Sequence, residues 1–324
     1  MDLSIVIVSY NTKKLLMDCL TSVFTQTKDL NYEVIVVDNG STDESVKSIK
    51  QLANYELRVK DKKNNPQSVT RNQTIVKLIE NKENLGFAKA NNQALRQIRQ
   101  GLRLSSAERP HCEQAQGEYV LLLNSDTKIV GNALKKLVDF AKGKEELGVV
   151  GPKLLNPDGT PQPSVAPFFT LSKAFIWLMT GDRFLYSSPS RTRQVDWVMG
   201  AALMVKKDVI KKVGLLDEKF FMYMEEVDWC YRIKKAGFEI WFYPQAEIFH
   251  LVRGGSPEGK QKAILNIYQG LIYFYQKHFG RQQLAVLKSI LLAKAVVAWL
   301  IGILSRNVYL KETYGKAFKL VHHV

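Results

Sequence analysis

Three segments of this chain put carboxylates and amides where chemistry can be done. The apolar run Tyr119-Val120-Leu121-Leu122-Leu123 stops on Asn124-Ser125-Asp126. A second apolar run, residues 33–37, stops on Asp38-Asn39-Gly40. Further on, Glu225, Glu226 and Asp228 crowd together among aromatic and apolar neighbours. A carboxylate just beyond a strand suits a hard divalent cation such as Mg²⁺ or Mn²⁺, whose oxygen ligands often include substrate phosphates. Asp126 is such a carboxylate, and Asn124 adds a neutral oxygen two residues earlier. Asp38, placed alike, can accept hydrogen bonds from a ribose or a uracil-type imide. Crowding and desolvation raise carboxylate pKa values, which suits Glu225, Glu226 or Asp228 to general-base work. Each motif also has a plain structural reading. Asn-Ser-Asp opens a turn or caps a helix, Asp-Asn-Gly makes a tight loop, and acids are favoured at a helix start by its dipole. His250 follows another apolar approach, so it is either a satisfied buried histidine or a further metal ligand.

The elements that must position these groups follow from periodicity. Residues 4–8 read as a buried strand ending at Ser9-Tyr10-Asn11, and residues 12–25 carry apolar side chains at helical spacing. A second strand at 33–37 and a helix over 43–52 repeat the order. Strand, helix, strand, helix predicts a parallel, doubly wound sheet, with ligands just past the carboxyl ends of its strands. Asn84-Leu85-Gly86 leads into a helix through residue 98; Gly86 permits close backbone approach, and helix-start amides suit an anion. Helices are expected at 132–141, 207–213 and 226–236, with strands at 119–123, 148–152, 196–205 and 238–243. Within 196–205, Gly200-Ala201 leave room for a ligand or another backbone. Polar residues 55–74 and 99–116 read as surface insertions. The aromatic stretch 168–186 reads as a mobile cover over a pocket.

The chain has 324 residues, 46% hydrophobic and 24% charged, with net charge +15. That length supports one large α/β domain with extensions or two small ones. Residues 1–4 run into an apolar strand with no basic leader, so no signal peptide is expected. Cys19, Cys112 and Cys230 lack metal-type spacing, which argues against structural zinc and for a reduced, cytoplasmic protein. No GxGxxG or P-loop occurs, which argues against dinucleotide and Walker-type sites.

Taken as an ordered set, these pieces resemble the family 2 glycosyltransferases of the GT-A fold, bacterial rhamnosyltransferase-like members above all. The matching pieces are Ser9-Tyr10-Asn11, residues 37–43, residues 84–88, Leu123-Asn124-Ser125-Asp126, residues 197–201, Glu225-Glu226-Val227-Asp228, and His250 with Gly255-Ser256. The resemblance implies a mixed, mostly parallel sheet flanked by helices over residues 1–256, followed by a helical extension over 257–324. It implies inverting transfer from a nucleotide-sugar donor, dTDP-rhamnose or a UDP-sugar, with Mg²⁺ or Mn²⁺ as cofactor. Ser9, Tyr10, Asn11, Asp38 and Asn39 would hold the nucleoside, and Asn84 and Gly86 would line the donor site. Asn124-Ser125-Asp126 corresponds to the family's Asp-x-Asp motif, with Asp126 on the metal and His250 completing its shell. Gly200-Ala201 would border the sugar or acceptor pocket. Glu226 corresponds to the base, although the family usually has Asp there. One extra methylene moves the carboxylate, and a displacement near 1 Å can cost about 100-fold in rate. Asp228 is therefore a second candidate base.

Positive charge collects in the last part of the chain, where Lys260, Lys262, Lys277, Arg281, Lys288, Lys294, Arg306, Lys311, Lys316 and Lys319 face Glu312 alone. Residues 284–304 approach the roughly 20 needed to span a bilayer, but Lys288 and Lys294 interrupt them. A helix lying in the interface with its lysines toward anionic headgroups is the expectation; packing on the catalytic domain is the alternative. The expected partners are a nucleotide sugar and a glycan or lipid-linked acceptor, with peripheral contact at the inner face of the plasma membrane and no nucleic acid. Two other classes remain: a non-catalytic basic nucleotide- or nucleic-acid-binding protein, and a nucleotidyltransferase of similar fold. The first leaves the strand-end acids unused; the second needs a Gly-rich, Lys-bearing loop after the first strand that this sequence lacks.

Overall fold

The computed structural model describes residues 1–52, 75–100, 117–180, 184–251 and 257–323. The expected insertions at 55–74 and 99–116 lie almost wholly outside the described residues, as do Cys112, Gly255 and Ser256.

One large sheet organises the chain. Its strand order is β3 (Ile75–Glu80), β2 (Tyr32–Asp38), β1 (Leu3–Ser9), β4 (Tyr119–Asn124), β11 (Ala202–Lys206), β6 (Leu147–Leu155), β12 (Glu239–His250), β5 (Thr127–Ile129), with two short strands attached at its side. β1 (Leu3–Ser9), β2 (Tyr32–Asp38) and β4 (Tyr119–Asn124) are almost continuous apolar runs because both faces are covered. Alternate side chains divide between two cores. Val6, Ile35, Val37, Val120 and Leu122 pack with Ala90, Ala94 and Leu95 of α3 (Phe87–Gln100). Ile5, Ile7, Val34, Val36, Leu121 and Leu123 pack with Leu16, Leu20 and Val23 of α1 (Lys13–Gln26). A further helix, α2, occupies 45–52.

Register then fixes where the polar ends meet. In the parallel ladders Ser9 pairs with Asp38 and Val8 with Asn124, so three strands end at one level. The fourth strand of this parallel half, β3 (Ile75–Glu80), pairs with β2. The sheet is mixed, as the resemblance implies: β11 (Ala202–Lys206) runs antiparallel between β4 and β6 (Leu147–Leu155). The stretch expected as one strand at 196–205 is broken into β10 (Trp197–Val198) and β11. The chain turns at Met199-Gly200-Ala201 and enters the sheet beside Leu123, which places Gly200 and Ala201 at the carboxyl end of β4.

β12 (Glu239–His250) is longer than expected. Proline cannot donate to a ladder, so the sequence pattern stops at Tyr243. The strand continues through an irregularity between Tyr243 and Glu247 and pairs with β5 (Thr127–Ile129) at its far end. There His250 stands opposite Thr127. β7 (Pro161–Gln162) and β9 (Arg193–Gln194) are the short attached strands, and β8 (Val165–Ala166) pairs with β10. α4 (Ala133–Ala141) and α6 (Lys207–Val213) complete the outer layers.

The stretch expected as a mobile cover contains a packed helix instead, α5 (Leu171–Thr180), with Ala174 and Leu178 buried. Its buried face meets α9 (Arg281–Leu304), which packs with α8 (Pro257–His278) and α10 (Val308–His323). These are not a free tail. Leu271, Phe274, Leu287, Leu291 and Ala317 belong to the same apolar cluster as Val6 and Leu122.

An ionic knot ties α8 to α7 (Glu225–Lys235). The fully buried Asp228 carboxylate meets Arg232 at 2.8 Å, Lys277 at 2.8 Å and His278 Nε2 at 2.7 Å. Burial alone would raise its pKa, but His278, Arg232 and Lys277 outweigh that and pull it to about 2. A depressed carboxylate contributes stability above its unfolded value, and that contribution vanishes as pH falls through the folded value. Wild type should therefore exceed Asp228→Asn by about 2 kcal/mol at pH 5. Urea titrations of both proteins should show the gap closing between pH 4 and pH 2.

Candidate active site

The carboxyl ends of β1, β2 and β4 open into a groove of about 200 Å³. Tyr10, Asn39, Asn84, Asn124, Ser125 and Asp126 line it, so six of the residues singled out by sequence converge there. Val8, Thr12, Phe87 and Met222 complete the walls.

Beneath the groove, hydrogen bonds fix its polar groups. The Ser9 and Thr12 hydroxyls are 2.9 Å apart, and Thr12 reaches Ser125 Oγ at 3.0 Å. Ser9 thus acts through Thr12 on Ser125. Asn11 sits at positive φ and clamps the loop after β2, donating its amide to Ser41 Oγ at 2.9 Å and accepting from Thr42 N at 2.8 Å. Asn39 is spent on the 81–86 loop: Nδ2 donates to Asn84 Oδ1 at 2.9 Å, and Oδ1 accepts from Asn81 Nδ2 and Leu85 N, each at 3.1 Å. Asp38 differs. Its Oδ2 accepts from Ser41 N at 2.9 Å, but Oδ1 is buried with no partner. An orphaned buried carboxylate oxygen is costly, and it lies ready for a ligand donor.

Gly86 is a structural pivot. Its φ is +83°, and a β-carbon there would meet the Phe221 carbonyl oxygen at 2.5 Å. The next amide, Phe87 N, donates to that same oxygen at 2.7 Å. Gly86→Ala should destabilise the protein by about 2 kcal/mol or more, from the left-handed backbone and the clash. Chemical denaturation would measure this, with ligand affinity falling alongside as Met222 moves.

Asp126 and His250 come together through the β5–β12 ladder. Leu251 N donates to the Asp126 carbonyl at 2.8 Å, and His250 Nε2 lies 3.4 Å from Asp126 Oδ1. Gln162 sets the imidazole. Its Nε2 donates to Asn156 Oδ1 at 3.0 Å, which turns Oε1 toward His250 Nδ1 at 2.8 Å. Nδ1 then donates to Oε1, which leaves Nε2 on the side of Asp126. One carboxylate and one oriented imidazole suit a divalent cation whose other ligands are water and phosphate oxygens. Among the described residues no group of three or more His, Cys, Asp or Glu side chains is placed to hold a metal ion, so the described part of the site offers these two ligands of that kind.

Glu225 and Glu226 open α7 after a strained turn, with Tyr223 at φ 71° and Met224 at φ 76°. Such backbone persists only where the surroundings hold it. Gly270 of α8 does so: a β-carbon there would lie 2.9 Å from Met224 Cγ. Burial raises both glutamates. For Glu225 the charge of Glu226 adds to it, whereas backbone amides at Gly200, Val227 and Met224 partly offset it for Glu226. Each has one carboxylate oxygen buried without a partner. Glu226 is nevertheless partly accessible as a residue, whereas Glu225 is buried.

Glu226 borders Gly200 at the end of β4 and is not among the residues that line the groove. The Gly200 β-position lies 3.6 Å from Glu226 Cβ, and the neighbouring Ala201 carbonyl accepts from Asn124 N at 2.9 Å. Tyr223 senses both sides; burial and the charges of Glu225, Glu226 and Asp126 raise its pKa. Asp228, one turn along α7, is engaged by its three basic partners and stands outside this border. Sequence reasoning missed Thr12, Gln162, Met222 and Tyr223. Gln162 carries no sequence signal, because its role arises only when β7 is laid beside β12.

Comparison with known proteins gives the same architecture. Residues 4–214 match the family model described as glycosyl transferase family 2. An N-acetylglucosaminyl-diphospho-decaprenol L-rhamnosyltransferase from Mycobacterium tuberculosis is 28% identical over 228 residues, covering 67% of this chain and 66% of that protein. A low-salt glycan biosynthesis hexosyltransferase from Haloferax volcanii is 25% identical over 240 residues, covering 74% of this chain and 64% of that one. The chain therefore spans just under two thirds of the length of these curated relatives. Among solved structures, a mannosyltransferase from Pyrobaculum calidifontis in complex with GDP-Man and Mn²⁺ superposes with TM-score 0.54 at 14% identity, covering 99% of this chain and 85% of that one. With the family model matched over most of its length and the strand-end groove in place, this chain belongs to glycosyl transferase family 2.

Proposed function

We propose that this protein transfers a sugar, with inversion, from a nucleotide-diphosphate donor to a hydroxyl of a glycan or lipid-linked acceptor in cell-surface polysaccharide synthesis. The observation that carries the reading is the placing of two unlike groups about the end of β4. Asp126 with the oriented His250 stands at the end of β4, and the enclosed carboxylate of Glu226 borders it through Gly200 and Ala201. The rhamnosyltransferase relative supports a rhamnosyl donor, which we take to be dTDP-rhamnose, with a UDP-sugar as the other candidate.

In this reading Asp38 Oδ1 accepts the imide N–H of a thymine or uracil, and Tyr10 and Asn84 flank the nucleoside. Asp126 and His250 Nε2 would hold Mg²⁺ or Mn²⁺, which would supply positive charge against the leaving diphosphate. Glu226 takes the proton from the attacking hydroxyl. Its raised pKa makes it a stronger base when ionised and sets the acidic limb of the pH profile. Burial and the charge of Glu226 push Glu225 well above the ordinary carboxylate range. Because a single carboxylate assists one displacement, the anomeric centre inverts. A second cavity of about 240 Å³ shares Met222 with the donor groove. Tyr223, Asn266, Gln269, Tyr273 and Gln276 line it, a set of phenols and amides suited to acceptor hydroxyls.

We retain the division into a catalytic unit, 1–256, and a basic helical unit, 257–324. α9 is long and apolar enough to cross a membrane by length and composition. With its lysines and the basic surroundings, we read it as lying on the anionic inner face of the plasma membrane, where a lipid-linked acceptor would be met. Proton NMR of the first-formed product tests the transfer reading. Inverted configuration relative to the donor is expected, and retained configuration would overturn it.

A further inference from the structure

A cavity that shares no lining residue with the strand-end groove has an unusual wall. It lies among α5, α8, α9 and α10, holds about 230 Å³, and is walled by Trp177, Leu178, Ile264, Ile267, Tyr268, Lys294 and Tyr314. Most of that wall is apolar or aromatic. Two polar groups stand out. Tyr268 is 2% exposed, and its hydroxyl is buried with no hydrogen-bond partner. Lys294 is half-buried, and no carboxylate pairs with it among the described residues. An unpaired cation and an unpartnered hydroxyl beside one apolar cavity both cost stability, and an anionic oxygen would satisfy both.

The surroundings point to what carries that anion. On α9, Val297, Leu300, Ile301 and Leu304 are 45% to 84% exposed and fall at helical spacing on one face. Lys294 lies three residues before this stripe begins, at its edge, whereas Lys288 projects from the opposite side of α9. On α5, Phe175 and Met179 are 51% and 62% exposed, beside Trp177 and Leu178 of the cavity wall. The cavity is thus flanked by exposed apolar side chains and set in the basic part of the chain.

We propose that this cavity seats the phosphate of a membrane lipid, held by the Lys294 ammonium and the Tyr268 hydroxyl, while the lipid's chains run along the exposed stripes of α5 and α9. The proposal rests on the membrane reading of the C-terminal helices and is independent of the transfer chemistry. Calorimetry of the full chain with monomeric decyl phosphate is the test. One molecule should bind. Lys294→Gln should weaken it at least tenfold and Tyr268→Phe severalfold, while Lys288→Gln stays within twofold. Because Lys294→Gln removes an unpaired, half-buried charge, its melting temperature should not fall, so misfolding cannot mimic the loss. Equal binding by Lys294→Gln, or inorganic phosphate binding as tightly as decyl phosphate, would overturn the lipid site. Sedimentation with phosphatidylglycerol vesicles separates the two readings. Vesicle binding without decyl phosphate binding overturns this cavity but keeps the membrane reading; the reverse shows an amphiphile site that does not serve a bilayer and also overturns the proposal.

Discussion

Glu226→Gln is expected to lower kcat by about 10²–10⁴-fold, the usual worth of a positioned general base, while leaving donor affinity within a few-fold. Glutamine keeps the size and hydrogen-bonding shape at the Gly200 border, so the Met224 turn and α7 should not shift. Glu225→Gln is the control. Burial and the charge of Glu226 raise the Glu225 pKa, which favours the neutral form that the amide imitates. Its kcat should stay within a few-fold of wild type. The pH profile gives a second readout. A base whose pKa is raised is active only above that pKa, so the rate should rise with pH and level off at a point above the ordinary carboxylate range. An acidic limb at the ordinary value would argue for a solvated carboxylate elsewhere.

Asp126→Ala is expected to abolish the metal dependence of donor binding, with donor Kd in Mn²⁺ rising about 100-fold toward the value in EDTA. Gln162→Leu should act on the same site from behind. Without an acceptor at Nδ1, His250 loses the bond that fixes its tautomer and ring. Support of this kind is worth about 10–100-fold in metal affinity. Electron paramagnetic resonance titration of free Mn²⁺ reads both effects without turnover. If Gln162→Leu binds Mn²⁺ as wild type does, His250 is not a ligand and Asp126 acts alone.

The strand-end logic was legible in the sequence because burial on both faces writes itself as unbroken Val, Ile and Leu runs, and the first polar residue after each run marks the sheet edge. Asp38, Asn124 and Asp126 follow from that. β3 was less legible. Lys77 and Glu80 interrupt its apolar pattern, as befits an edge strand, and Lys77 is drawn in by the buried Glu33 at 3.1 Å. α5 was misread because Phe175, Ile176 and Met179 face outward while Ala174 and Leu178 face α9, which blurs the amphipathic signal. Within the site, side-chain type suggested contact but could not separate ligand-facing groups from scaffold. Asn39 looks like a nucleoside ligand until its amide is seen spent on Asn81, Asn84 and Leu85. Asp228 looks like a base until α8 brings Lys277 and His278 to it. Those distinctions depend on contacts between residues 42 to 50 positions apart.

The most direct test of the central claim is calorimetric and kinetic titration of a nucleotide-sugar panel with Mg²⁺, Mn²⁺ or EDTA, using wild type, Asp126→Ala and Glu226→Gln side by side. One donor should bind wild type only with metal, lose that binding in Asp126→Ala, and bind Glu226→Gln without turnover. If no nucleotide sugar binds wild type with either metal, or if Glu226→Gln turns over as wild type does, the proposed division of labour about the end of β4 is wrong.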